Sequence, residues 1–178
     1  MKARRKIVVY IAASADGHIA RPDGDVEWLN RRPRTVDYGM REFYPTIDTI
    51  LWGRKDLRLA PELLQVTWQD QGPVRHEARQ LSRKPPKRAP PGVEFVSEPV
   101  KAFAQRQRAA PGKQIWMMGG GELIASFLDA GEIDEFDIHV IPVLIGEGIR
   151  LVAPRHRDVP LRLRSSKEVP GRSRSTPL

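Results

Sequence analysis

The sequence predicts an α/β layer fold built on a mainly parallel sheet, and three observations carry that expectation. Strand-like runs alternate with amphipathic helical stretches from one end of the chain to the other. The runs Lys6–Ala13 and Lys113–Met118 are almost unbroken apolar sequence, as strands covered on both faces require. Small and polar residues follow those runs: Ser14, Asp16 and Gly17 after the first, Gly119, Gly120 and Gly121 after the second. In such sheets ligands bind beyond the carboxyl ends of the strands.

The elements read in order as follows. Lys6–Ala13 is a buried central strand, and Arg21-Pro22-Asp23-Gly24 is a turn. Asp25 can cap a short helix carrying Val26, Trp28 and Leu29. A second helix is expected from about Val36 to Tyr44, stopped by Pro45. Thr46–Trp52 is the next strand, with Gly53-Arg54-Lys55 at its end, and Pro61 opens another short helix through Leu64. Residues 69–92 are rich in proline and basic side chains, with a weak strand over Glu77–Ser82. Val93–Ser97 is a cleaner strand, and Pro99–Arg108 a helix with Val100, Phe103 and Ala104 on one face. After Lys113–Met118 and the three glycines, a helix runs from Glu122 to about Ala130, with Leu123, Ile124, Phe127 and Leu128 as its apolar stripe and Gly131 as its stop. Ile133–Ile145 reads as one long strand, bent or unpaired at Pro142.

Composition narrows the function. A chain of 178 residues that is 40% hydrophobic fits one domain with a real core, here residues 1–168, followed by an atypical basic tail at 169–178. No cysteine is present, which removes disulfides, thiolate metal sites and Cys nucleophiles, agrees with a reducing, cytoplasmic setting, and leaves no metal-ligand pattern. No apolar run is long enough for a membrane span. The net charge of +8 is concentrated in residues 1–6, 75–88 and 155–174, without interleaved aromatics, so solvated tails and loops are expected rather than a nucleic-acid interface.

Three features carry chemistry. Glycines between a buried strand and an amphipathic helix let a phosphate approach the main chain at the positive end of the helix dipole; a tight turn explains the same residues without a ligand. Gly53-Arg54-Lys55 and Ser82-Arg83 stand at two further strand ends, where cations and a hydroxyl suit an additional phosphate or form an exposed basic loop. His139 stands alone on its strand and can polarise a ligand, although such a histidine is more often merely packed.

Taken in order, Ala12-Ala13-Ser14-Ala15-Asp16-Gly17-His18-Ile19-Ala20, Asp25-Val26-Glu27-Trp28-Leu29, Leu51-Trp52-Gly53-Arg54-Lys55, Leu81-Ser82-Arg83, Trp116 through Leu123 and Ile141 through Gly148 resemble the dihydrofolate reductase-like superfamily. The similarity is to the branch of the reductase domain of the riboflavin-biosynthesis deaminase-reductase, and it covers about residues 5–168. It implies a three-layer fold with helices on both sheet faces, NADPH as cofactor, and a homodimer. Ala12 and the loop from Asp16 to Ala20, with Ile19, would border the nicotinamide, Gly53, Arg54 and Lys55 the adenosine, Ser82 and Arg83 the 2′-phosphate, and Gly119, Gly120, Gly121, Glu122 and Leu123 the pyrophosphate. The resemblance makes Asp25 the first candidate proton donor, with Asp16 and Glu27 as competitors; as a helix cap Asp25 also has a purely structural reading. It implies hydride transfer to a small heterocyclic or sugar-derived C=N or C=O compound, pterin-like or ribosylaminopyrimidine-like.

Three departures qualify the resemblance. Asp56 follows Gly-Arg-Lys, where relatives carry threonine. The segment Val74–Leu81 is charged, which suits an edge strand better than a central one. Residues 170–177 contain nothing apolar to bury, so the returning strand that closes the sheet in relatives is expected to be missing. The alternative function is therefore a catalytically impaired nucleotide-binding or interaction module.

Overall fold

The structure is a computed structural model and describes residues 4–31, 38–53, 75–79 and 93–168. A six-stranded parallel sheet forms its centre, in the order β5-β4-β3-β6-β1-β7. Its strands are β1 (Ile7–Ser14), β3 (Ile47–Gly53), β4 (Arg75–Arg79), β5 (Val93–Val96), β6 (Gln114–Gly119) and β7 (Glu135–Ile141). A second, two-stranded antiparallel sheet joins β2 (His18–Ala20) to β8 (Ile149–Arg150). The helices are α1 (Met40–Phe43), α2 (Val100–Ala109) and α3 (Gly121–Asp129), with single 3-10 turns at Glu27–Arg31 and Tyr44–Thr46. Among the described residues no helix is long and apolar enough to cross a membrane.

The period-two alternation of the strands sorts their side chains into two cores. Ile7 and Val9 of β1, Leu51 of β3 and Ile115 and Met117 of β6 meet Phe103, Ala104, Leu123, Ile124 and Phe127 of α2 and α3. Tyr10, Ile50, Trp52 and Trp116 point the other way and meet Tyr44, with Met40 and Phe43 of α1 packed alongside. Helices thus cover both faces of a mainly parallel sheet, the architecture expected from the sequence.

At the amino ends of the strands two buried arginines tie the layers together. Arg5 donates to the carbonyls of Lys113 (2.6 Å) and Gln107 (3.1 Å), to the Thr49 hydroxyl (2.8 Å) and to the Asp48 carboxylate. Arg108 of α2 donates to the Arg5 carbonyl (2.9 Å), to Asp134 (2.5 Å) and to the carboxylate and carbonyl of Glu132. Gly112 belongs to this knot: a Cβ there would stand 2.4 Å from Asp48 Oδ2 and 2.9 Å from the Arg5 guanidinium carbon. The solvated basic N-terminus expected from charge is therefore incorrect for Arg5, which is 7% exposed, because its guanidinium makes four hydrogen bonds to acceptors on three chain segments.

Other expectations change. The charged segment at β4 lies between β3 and β5 rather than at an edge, and its strand Arg75–Arg79 begins two residues before the expected Glu77, while residues 80–82 of the expected strand lie outside the described residues; pairing runs through main-chain groups, which charged side chains do not remove. The long strand stops at Ile141 because Pro142 has no N–H to donate. Of the helix placed at 36–44 only one turn is seen, from Met40; Tyr38 (φ 52°) and Gly39 (φ 80°) take left-handed conformations that an α-helix cannot contain. Pro45 sits within the following 3-10 turn. Asp25 accepts the Glu27 N–H (3.1 Å) as a cap, but the turn it opens is 3-10. The sequence reading missed β2 and β8. The helix at Pro61 and the absence of a strand at 170–177 fall outside the described residues.

Replacing Arg5 by Ala removes the cation paired with Asp48 and the donor to the Lys113 and Gln107 carbonyls, and should lower unfolding free energy by about 3 kcal/mol in urea titrations. Phe127→Ala, which empties a fully buried site against Phe103, should cost about 3–5 kcal/mol by the same measurement.

Candidate active site

The chain leaves adjacent strands β1 and β6 toward opposite faces. After β1 it passes to α1, on the Tyr10 and Trp116 side; after β6 it enters α3, on the Val9 and Met117 side. Such a divergence opens a crevice at the carboxyl ends of the two strands, where parallel sheets bind ligands. Among the described residues, Ala12, Gly53, Gly119, Gly120 and Gly121 stand at or close to the carboxyl ends of β1, β3 and β6.

On the β6 side, Gly120 precedes α3 without any side-chain cap, and the first main-chain bond of the helix is Ile124 N–H to the Gly120 carbonyl (3.0 Å). The N–H groups of Gly121, Glu122 and Leu123 thus lack partners within the helix, and together with its dipole they could hold an anion. This donor set fits a pyrophosphate. The side chains here serve other ends: Leu123 is buried in the core, and the exposed Glu122 carboxylate pairs with Arg155 at 3.0 Å. Gly121 has a packing reason of its own, since a Cβ would stand 2.2 Å from the Arg150 carbonyl oxygen. Gly119 ends β6 opposite Trp52, and Gly53 ends β3. Arg54, Lys55, Ser82 and Arg83 lie outside the described residues.

On the β1 side, the loop after Ser14 is bolted down. Ser14 Oγ donates to Asp16 Oδ1 (2.5 Å), and the Asp16 carboxylate accepts the N–H groups of Gly146 (2.7 Å) and Ile145 (3.1 Å). These bonds, the Ser14 hydroxyl foremost, hold the Asp16 carboxyl well below the usual carboxylate range against the opposing effect of desolvation. A carboxylate so held is a poor proton donor near neutral pH. In these contacts Asp16 acts as a clasp, joining the β1 end to the 145–146 loop. Its neighbour His18 is buried, with Nδ1 3.5 Å from Asp16. Half-buried Ile19 lies in β2, whose pairing with β8 brings Gly148 so close to Ala20 that a Cβ would stand 2.1 Å from its carbonyl oxygen. Asp25 is likewise engaged, one oxygen capping the Glu27 N–H and the other 3.4 Å from Arg21 Nε, so the structural reading of this residue accounts for its contacts; Glu27 is exposed.

A different polar group stands beside the end of β1. Ala12 lies opposite His139 in the β1–β7 register, on the Tyr10 side, and its small side chain leaves room above the sheet. The His139 ring lies 4.7 Å from that of Tyr10 and 5.8 Å from that of Tyr38, while the Tyr10 hydroxyl donates to the Tyr38 carbonyl. Two buried polar atoms of this cluster, the Tyr38 hydroxyl and His139 Nε2, have no hydrogen-bond partner among the described residues, although Asp137 Oδ1 stands 3.5 Å from His139 Nε2. Orphaned polar atoms are costly, and a polar ligand atom would satisfy them. Burial lowers the His139 pKa below its ordinary 6.5, only partly opposed by Asp137, so the imidazole is neutral near pH 7. Tyr38 was not recognisable from sequence, since it lies in a segment whose only signal was a helix that does not form there.

Comparisons with known proteins agree with this architecture. The family model of the RibD C-terminal domain matches residues 96–172. YwjB of Bacillus subtilis (strain 168), an uncharacterized protein, is 36% identical over 165 residues, 92% of each chain. The crystal structure of a Shewanella sp. PV-4 protein named for riboflavin biosynthesis superposes with a TM-score of 0.75 at 25% identity, over 91% of both chains. The diaminohydroxyphosphoribosylaminopyrimidine deaminase/5-amino-6-(5-phosphoribosylamino)uracil reductase of Thermotoga maritima shares the fold at 17% identity and TM-score 0.66, over 93% of this chain and 54% of that one. The alternating pattern, the glycine turn after β6 and the parallel sheet thus lead to one assignment: the chain belongs to the RibD C-terminal domain family, a family of NADPH-dependent reductases with the dihydrofolate reductase-like fold.

Proposed function

We propose that this protein is an NADPH-dependent reductase that delivers hydride to a C=N or C=O carbon of a small heterocyclic or sugar-derived compound, pterin-like or ribosylaminopyrimidine-like. The observations that carry the proposal are the start of α3 after β6, whose first N–H groups have no partner within the helix, and the buried Tyr38 hydroxyl and His139 Nε2 beside β1, which have no hydrogen-bond partner among the described residues. Family membership supports the cofactor, and the Thermotoga relative supports the substrate class.

Bound NADPH would supply the hydride. In this reading the N–H groups of Gly121, Glu122 and Leu123 hold its pyrophosphate, Ala12 leaves space for the nicotinamide, and the clasp on Asp16 keeps the β1 loop in place beside it. His139 and Tyr38 take the polar substrate atoms next to the carbon being reduced, orienting that carbon and polarising its double bond. A neutral imidazole suits this role, because its Nε2 can exchange a hydrogen bond without placing a buried positive charge beside the substrate.

Titration with NADPH, followed by tryptophan fluorescence, should show saturable binding, tighter than for NADH; absence of saturation with either nucleotide would favour the interaction-module alternative. With ribosylaminopyrimidine and pterin substrates, His139→Ala should lower kcat by about a hundredfold while leaving NADPH affinity unchanged. Equal loss of both would contradict the assigned role. The lowered His139 pKa also predicts a stability profile. As pH falls through 6.5 the unfolded chain takes up a proton before the folded one does, so the folded state loses stability until the depressed value is passed. Urea midpoints between about pH 7 and pH 5 should fall less for His139→Asn than for the parent chain.

A further inference from the structure

All the exposed large hydrophobic residues among those described fall on one part of the molecule: Ile138 and Val140 of β7, Leu144 just after it, and Val159, Leu161 and Leu163 in the segment beyond Arg157. Strand β7 is the last in the sheet, and no described strand pairs with its outer side. Asp134 donates its N–H to Ile7 of β1, so along the alternating ladder the main-chain groups of Glu135, Asp137 and His139 point to that open side. An exposed apolar edge of this kind is a template for another strand.

The segment 158–164 has the pattern of such a strand but is unpaired. Apolar Val159, Leu161 and Leu163 alternate with Pro160, Arg162 and Arg164, and Leu161 and Leu163 are 70% and 82% exposed. One contact suggests a register, because the Arg164 guanidinium touches the Glu135 carboxylate. Antiparallel pairing with Arg164 opposite Glu135 places Leu163 opposite Phe136, Arg162 opposite Asp137 and Leu161 opposite Ile138. Both basic residues then face acids, and both leucines face apolar residues on the side of the sheet that α2 and α3 cover. Pro160, with no N–H, ends the ladder at His139.

We infer that the β7 edge is the docking site for segment 161–164 of a second copy of this chain, exchanged reciprocally between two protomers. The donor is a second copy because of how each chain holds its own segment. Arg155 and Arg157 both bind Asp129, at the end of α3 shortly before β7 begins. From that anchor the same chain would have to climb β7 to Ile138 and then turn back down it. In the structure its segment reaches the edge with the Arg164–Glu135 ion pair and leaves both leucines in water. Reciprocal exchange satisfies both edges with one two-fold contact, and charge complementarity selects the direction of pairing.

The chain has no cysteine, so an introduced pair reports on this contact alone. Ile138→Cys combined with Leu161→Cys should give a disulfide-linked dimer on oxidation, and the parent chain should be dimeric by light scattering. Arg162→Glu with Arg164→Glu should weaken the dimer by about tenfold or more, and adding Glu135→Arg with Asp137→Arg should restore it. A monomeric parent chain, an intramolecular disulfide, or a dimer indifferent to both charge reversals would each overturn the inference. Circular dichroism of every variant separates loss of pairing from loss of fold.

Discussion

The two guanidinium groups buried at the amino ends of the strands are the constraint on which this sheet depends. Arg5 fastens the start of β1 to Asp48 and Thr49 of β3 and to the segment that leads into β6; Arg108 fastens α2 to the start of β1 and to the residues before β7. Each guanidinium fills a position where several chain segments would otherwise bury unpaired carbonyls and carboxylates. With that end locked, the registers of β3, β6, β1 and β7 are set together, and the carboxyl ends that form the crevice are held at fixed heights. Precision at the proposed site therefore begins at the opposite side of the molecule.

At the crevice the same logic recurs with main-chain donors. Asp16 gathers a hydroxyl and two N–H groups, Gly148 and Gly121 permit backbone contacts that any side chain would prevent, and the β2–β8 ladder links these points. The loop beside Ala12 is consequently a fastened wall. Beside this fastened wall, the Tyr38 hydroxyl and His139 Nε2 are buried without a hydrogen-bond partner among the described residues.

Much of this was legible in the sequence. Uninterrupted apolar runs marked β1 and β6, alternating helical stripes marked α2 and α3, and the order of motifs led to the family. What escaped was long-range. Nothing local distinguishes a buried Arg5 from the solvated Arg4 beside it, or an Asp16 that clasps residues 145–146 from one that donates a proton. Gly121 and Gly148 look like ligand or turn glycines until the carbonyl each one approaches is known. Strand β4 looked like an edge because its charges were weighed as side chains, whereas its neighbours engage its backbone. Asp25 had both readings from the start, and its contacts match the cap.

The position of β1 has a consequence for the chain during synthesis. Both of its partners come from far downstream: Ile7 pairs with Ile115 and Val8 with Glu135. A growing chain therefore carries its most apolar strand unpaired until most of its length has been translated, while β3, β4 and β5 can already assemble. Assembly of the central strand is thus nearly the last event, and the interval before it is when the nascent protein is most exposed to aggregation and to chaperone capture.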